Sequence, residues 1–256
     1  MRRRTLLCSA LPSLGLGDAW AAATPLPGLI ARYKPSLVVV GTYSETDSPR
    51  FQFHGTGFAV GDGNAVVTNA HVLPEAANAD VDVQRQVAIL TRAPDGKWVQ
   101  RAVVDQTLDR AHDLVVLRFD GPALPTLPLA ADILPPEGAQ IFLMGFPLGA
   151  ALGFSVVTHH GIVSSVVPIA LPAPGADGLN ARAVRQLREG SFEILQLDAV
   201  CYPGNSGGPV IDADTGAVIG IVNMVLVKGS RETALSQPTG ISYAIPVSYV
   251  RALLSH

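Results

Sequence analysis

Pro203-Gly204-Asn205-Ser206-Gly207-Gly208-Pro209 is the stretch on which the reading of this chain turns. A serine hydroxyl is a weak nucleophile until a neighbouring base takes its proton, and the oxyanion formed when it attacks needs backbone N–H groups beside it. Glycines on both sides let the chain bend tightly enough for peptide N–H groups to converge on one point. The same residues also suit an ordinary Gly-rich turn between strands. The rest of the chain has to decide.

Gly204-Asn205-Ser206-Gly207-Gly208 fits the G-x-S-x-G nucleophile elbow of α/β-hydrolases, a fold that places its acid and its histidine after the serine. Only Asp212, Asp214, Glu232 and the final His256 follow Ser206, with too little chain left for the remaining strands. Pro209 and the strand-like Val210-Ile211 stand where an elbow requires a helix. The elbow fails. Upstream, Val66-Val67-Thr68-Asn69-Ala70-His71-Val72 puts a histidine at the end of an apolar strand, and His112-Asp113-Leu114-Val115-Val116-Leu117 puts an aspartate at the head of another. His71, Asp113 and Ser206 therefore run in the order His, Asp, Ser that chymotrypsin-type enzymes use. The rival acids Asp105 and Asp109 lie in a more polar stretch and read as solvated charges. His112 should face away from Asp113 on a strand, and His159 and His160 read as loop or strand-surface residues.

After Pro35 the chain is a series of short runs rich in Val, Ile, Phe and Thr. Gly61-Asp62-Gly63 and Pro94-Asp95-Gly96 punctuate it as turns. Examples of these runs are Leu37–Thr42, Gly57–Val60, Ala65–Thr68, Val87–Thr91, Leu114–Phe119, Gln140–Met144, Gly161–Val167, Glu193–Leu197, Val218–Val227 and Ile241–Ile245. Such spacing predicts an all-β sandwich or barrel. Helical pattern appears near Asn180–Arg188 and at Val247–Leu254. Gly121–Gly138 carries five prolines, which cannot donate to a strand ladder, and reads as a crossover between two halves of similar size. No internal sequence repeat is visible.

The ordered blocks resemble the trypsin-like serine proteases of the bacterial HtrA (Deg) type, across most of residues 54–250. Gly55-Thr56-Gly57-Phe58 resembles the strand before the histidine, Thr68–Val72 the histidine block and Asp113–Leu117 the aspartate block. Gly145-Phe146-Pro147-Leu148-Gly149 resembles a loop of the second barrel. Gln196–Ala199 leads into the serine block, and Ser242-Tyr243-Ala244-Ile245-Pro246 resembles the closing strand. The resemblance implies a chymotrypsin-like pair of six-stranded antiparallel β-barrels with a short C-terminal helix, residues 24–128 carrying His71 and Asp113 and residues 129–256 carrying Ser206. It implies Ser206 as nucleophile, His71 as general base and then acid, and Asp113 as the group that orients the imidazole. Backbone N–H groups of Gly204 and Ser206, with Asn205 between them, would form the oxyanion hole. A pocket floor at Val200 and Cys201, walled by Val222 and Asn223 on Ile221–Met224, carries no acid to pair with a buried Arg or Lys. Small to medium aliphatic P1 residues are therefore expected. A catalytically silent binding protein or chaperone on the same scaffold, and an esterase using the same triad, are the alternatives.

Two departures from digestive trypsin-like enzymes are visible. Asn205 replaces the aspartate that precedes their serine, so activation by a salt bridge to a cut N-terminus is not available. Their framework disulfides are missing, since the chain has two cysteines, Cys8 and Cys201. HtrA relatives tolerate both absences but carry a PDZ module, which is not expected here. A trimer is possible by resemblance alone.

Composition narrows the surroundings. Charged residues make up 15% of the chain, against roughly 25% in ordinary soluble domains. The net charge of −3 excludes the basic face that nucleic acid needs. Gly138 to Ala176 holds no Asp, Glu, Lys or Arg, yet Gly145, Pro147, Gly149, Gly153 and Gly161 interrupt it. It reads as strand, turn and strand rather than a membrane span. Met1-Arg2-Arg3-Arg4, the apolar Leu6–Leu16 and the small-residue sites ending at Ala23 read as a signal peptide over residues 1–23, with a twin-arginine form at Arg3-Arg4-Thr5-Leu6-Leu7. A periplasmic or secreted location is expected, with a polypeptide as substrate. No His/Cys/carboxylate cluster has metal-ligand spacing, so no metal and no cofactor is expected.

Overall fold

Successive side chains on a strand point to opposite faces, and in this protein both faces are often buried. On β1 (Leu37–Tyr43), Val38 and Val40 belong to one apolar cluster while Leu37 and Val39 belong to another. On β7 (Gln140–Gly145), Ile141 and Leu143 split in the same way from Phe142 and Met144. Strands covered on both sides need continuous apolar runs rather than alternation. That is why charge is so sparse here.

The computed structural model describes residues 26–74, 85–169, 192–223 and 240–255. The expected signal peptide and the expected helix near Asn180–Arg188 lie outside them. The first barrel contains β1, β2 (Phe51–Val60), β3 (Ala65–Asn69), β4 (Gln86–Arg92), β5 (Trp98–Asp109) and β6 (Leu114–Phe119), closed in the order β1-β2-β3-β6-β5-β4. The second contains β7, β8 (Val157–Ile169), β9 (Phe192–Asp198), β10 (Pro209–Asp212), β11 (Val218–Val222) and β12 (Ile241–Pro246), closed as β10-β11-β12-β9-β8-β7. All strand pairs are antiparallel. Substituting β7 for β1 and so on through β12 for β6 turns one order into the other. The chain repeats a wiring diagram that its sequence does not display.

The interior of the first barrel holds Val38, Val40, Val66, Ile89, Val115 and Leu117. That of the second holds Ile141, Leu143, Val163, Leu195, Leu197 and Val210. A third cluster joins the barrels, bringing Leu37, Phe58, Val67 and Leu114 together with Phe142, Met144, Phe146 and Ile221. Two short helices, α1 (Leu26–Tyr33) and α2 (Val247–Leu254), pack into this shared cluster through Leu29, Tyr33, Val247 and Val250. Tyr33 Oη donates to the Gly216 carbonyl at 2.6 Å, fixing α1 to the second barrel.

The crossover is more ordered than its prolines suggest. Pro128 cannot donate, but its carbonyl accepts from Val218 N at 2.8 Å, and Ala130 N donates back to Val218 O at 2.9 Å. The prolines cost donors, and the ladder uses the acceptors. Strand β5 is not among the runs picked out in the sequence because most of its residues are exposed, with polar and apolar side chains mixed. Among the described residues no helix is long and apolar enough to cross a membrane.

Candidate active site

Three chain segments meet over Gly55. A Cβ placed there would lie 2.8 Å from Val72 Cγ2, beside His71, and 2.9 Å from the carbonyl oxygen of Ser206. Only a residue without a side chain lets the histidine turn and the serine loop approach so closely. Thr56, next along β2, links the barrels at the same place. Its N–H donates to Ser206 O at 2.9 Å, and its Oγ1 donates to Gly204 O at 2.7 Å and accepts from Phe146 N at 3.0 Å.

His71 sits in the single turn Ala70–Val72 that ends β3, and Asp113 immediately precedes β6. β3 and β6 are paired from Ala65–Arg118 to Asn69–Leu114, so the ladder itself delivers the two residues to the same end of the barrel. His71 Nδ1 lies 2.6 Å from Asp113 Oδ2, and His71 N donates to Oδ1 at 2.8 Å. An ionised carboxylate only accepts, so the Nδ1 proton stands between them and Nε2 is left as the free acceptor. Asp113 has φ of +54°, a left-handed conformation that aspartate tolerates better than most residues. Its carbonyl accepts from Ala70 N at 3.0 Å and Asn69 Nδ2 at 3.1 Å. Asn223 Nδ2 donates to Oδ2 at 2.7 Å.

Ser206 is 6% exposed and lies in the loop between β9 and β10. In that loop Asn205 N donates to Tyr202 O, Gly207 N to Val222 O and Gly208 N to Asn205 O. The N–H groups of Gly204 and Ser206 have no backbone partner among the described residues. Gly204 has φ of +104°, and a Cβ there would lie 2.4 Å from Phe146 O. The Asn205 side chain is fully buried against Gly145, and neither amide atom has a hydrogen-bonding partner among the described residues. Ser206 Oγ and His71 Nε2 are not hydrogen-bonded to each other in this structure.

The expected pocket residues divide. Cys201 and Val222 are buried in the cluster inside the second barrel, and Val200 beside them is half-buried. Cys201 is a free thiol, and burial pushes its pKa up to about 11. Asn223, expected as a pocket wall, donates its side-chain amide to Asp113. Asp105 is exposed as expected, but Asp109 bonds His112 and is not a simple solvated charge. His112, expected on a strand, lies instead in the turn before β6, with its ring bonded to Asp109. His160 is exposed, whereas His159 is half-buried with its Nε2 unpartnered, and burial lowers its pKa. The roles of Thr56 and Asn223 leave no local signal, because their partners lie 148 and 110 positions away.

Comparison with known proteins bears on the family and the fold. HTRA2 of Drosophila willistoni, a mitochondrial serine protease, is 30% identical over 203 residues, covering 78% of this chain and 38% of its own. HhoA of Synechocystis sp. is 30% identical over 207 residues, covering 80% and 43%. The chain thus spans about two-fifths of the length of these curated relatives. The crystal structure of Deg5 superimposes with a TM-score of 0.61 at 22% identity, covering 88% of this chain and 89% of that one, which is a likeness of fold. The trypsin-like peptidase domain model matches residues 55–221, from the glycine at the meeting point of the site through Ser206 to β11, and this chain belongs to that family.

Proposed function

We propose that the protein is an exported serine endopeptidase that cleaves peptide bonds through Ser206, His71 and Asp113. The observation that carries this is the 2.6 Å bond between His71 Nδ1 and Asp113 Oδ2, which fixes the tautomer whose Nε2 can accept a proton. Ser206 Oγ attacks the carbonyl carbon of the scissile bond as its proton passes to His71 Nε2. The N–H groups of Gly204 and Ser206 donate to the oxyanion. Collapse breaks the C–N bond, the Nε2 proton goes to the leaving amine, and an acyl-enzyme remains on Ser206. Water then attacks, giving its proton to His71, and the acid product leaves as Ser206 recovers it.

The apolar neighbourhood of Val200 and Cys201 supports a preference for small to medium aliphatic P1 residues, since a charged side chain would lose its hydration without gaining a partner. The arginine-rich first residues and the small-residue sites up to Ala23 support export, with the periplasm or the exterior as destination. The test is cleavage of unfolded casein and of a P1 peptide library by wild type, Ser206→Ala and His71→Ala. Wild type is expected to cleave both, and each variant to lose at least about a thousandfold in kcat. Equal turnover by Ser206→Ala overturns the assignment, and a profile dominated by Arg or Lys overturns the pocket.

A further inference from the structure

A second His–Asp pair stands beside the first. His112 Nδ1 lies 2.6 Å from Asp109 Oδ2, and the other oxygen, Oδ1, accepts from the backbone N–H of Ala111 at 3.0 Å and of His112 at 3.1 Å. The aspartate therefore closes the β5–β6 turn on itself and fixes the imidazole in one orientation. That orientation is used. The ring stacks on Tyr249 of α2 with centroids 4.0 Å apart and planes 20° from parallel. It also meets the edge of Phe192, the first residue of β9, at 4.9 Å and 78°. Phe192 and Tyr249 contact each other at 5.5 Å and 79°, so the three rings form a closed cluster. His112 belongs to the first barrel, and both partners belong to the second half of the chain.

The residue that follows His112 is Asp113, with its φ of +54°. A non-glycine residue persists in that region when its surroundings hold it there. The side of Asp113 toward β3 is held by its bonds to Ala70 N and Asn69 Nδ2. On the other side the chain is held at His112. We propose that His112 is a positioning residue. By anchoring the β5–β6 turn to Tyr249 and Phe192, it keeps Asp113 in the conformation that sets its carboxylate on the backbone N and the Nδ1 of His71, and so makes the His–Asp pair depend on the docking of the two barrels. If the anchor is released, Asp113 relaxes toward negative φ, and its Oδ2 moves off His71 Nδ1.

This inference rests on the proposed triad, so its test needs a readout that does not depend on turnover. The far-downfield NMR resonance of the His71 Nδ1 proton reports the bond to Asp113 directly. In His112→Ala the resonance should shift or vanish, and kcat should fall roughly tenfold to hundredfold with KM nearly unchanged. His112→Phe, which keeps the ring stack and lacks the Asp109 bond, should recover most of both. Tyr249→Ala should resemble His112→Ala, and combining the two should cost no more than either alone, as expected of residues sharing one interaction. If His112→Ala fails to fold, His112→Phe and Tyr249→Ala carry the same readouts. A folded His112→Ala or Tyr249→Ala with an unmoved resonance and wild-type kcat overturns the proposal. A wild type that shows the resonance, loses it in His112→Ala, and yet reacts with no serine-directed probe leaves the anchor standing while the enzyme reading falls.

Discussion

Asp113 gathers three donors on its carboxylate, from His71 N, His71 Nδ1 and Asn223 Nδ2, and two on its carbonyl. Asp113→Asn keeps the shape but puts an amide where a charge stood, and it allows His71 to present the wrong nitrogen to Ser206. Its kcat should fall by roughly 10³–10⁴-fold with little change in KM, as steady-state kinetics on a peptide ester would measure. Cys201 makes a different prediction. Burial raises its pKa from 9.0 to about 11, partly offset by a hydrogen bond with the Ser242 side chain. The unfolded thiol ionises first as pH rises past 9, so stability is unchanged below that and declines by up to roughly 3 kcal/mol as pH passes through 11. Urea titrations across that range should show the decline in wild type and a smaller one in Cys201→Ala. His71, Asp113 and Ser206 stand out as candidates in the sequence because each sits in a short local motif, and the structure joins the first two by a hydrogen bond. Asn223 is expected from the sequence as a pocket wall and not as a partner of Asp113, because that contact spans 110 positions.

The strands plainest in the sequence include those buried on both faces, such as Ala65–Asn69 and Leu114–Phe119, whose unbroken apolar runs leave few alternatives. β5 escaped because Val99, Val104 and Leu108 are among its exposed apolar residues and polar ones intervene. Its position is set by pairing with β4 and β6, which no local pattern encodes. β8 extends past the expected Gly161–Val167 for the same reason, its ends being fixed by β7 and β9. The approach of β2 to the histidine turn and the serine loop yields a sharp prediction. Gly55→Ala would place a methyl 2.9 Å from Ser206 O and 2.8 Å from Val72 Cγ2. Relief requires moving one loop away from the other. The variant should lose about 1–3 kcal/mol of stability together with most of its kcat, measured by thermal melting and turnover on the same sample.

At the scale of the molecule, the low charge noted in the sequence is the signature of three large apolar clusters among the described residues. The uncharged block from Gly138 to Ala176 supplies β7 and β8, and β7 faces the interior of its own barrel on one side and the other barrel on the opposite side. Because the shared cluster is continuous, the barrels should unfold together. Phe142→Ala, which empties a fully buried position in that cluster, should cost about 3–5 kcal/mol while calorimetry still shows a single transition. The same docking brings the loop that carries Ser206 and the turn that carries His71 together over Gly55. The most direct test of that account is reaction of the purified protein with a fluorophosphonate, followed by intact mass and peptide mapping. Wild type should gain one adduct, located on Ser206, while Ser206→Ala gains none and His71→Ala reacts far more slowly. A folded wild type that takes up no adduct, or takes it up elsewhere than Ser206, contradicts the assignment of this site as a serine protease centre.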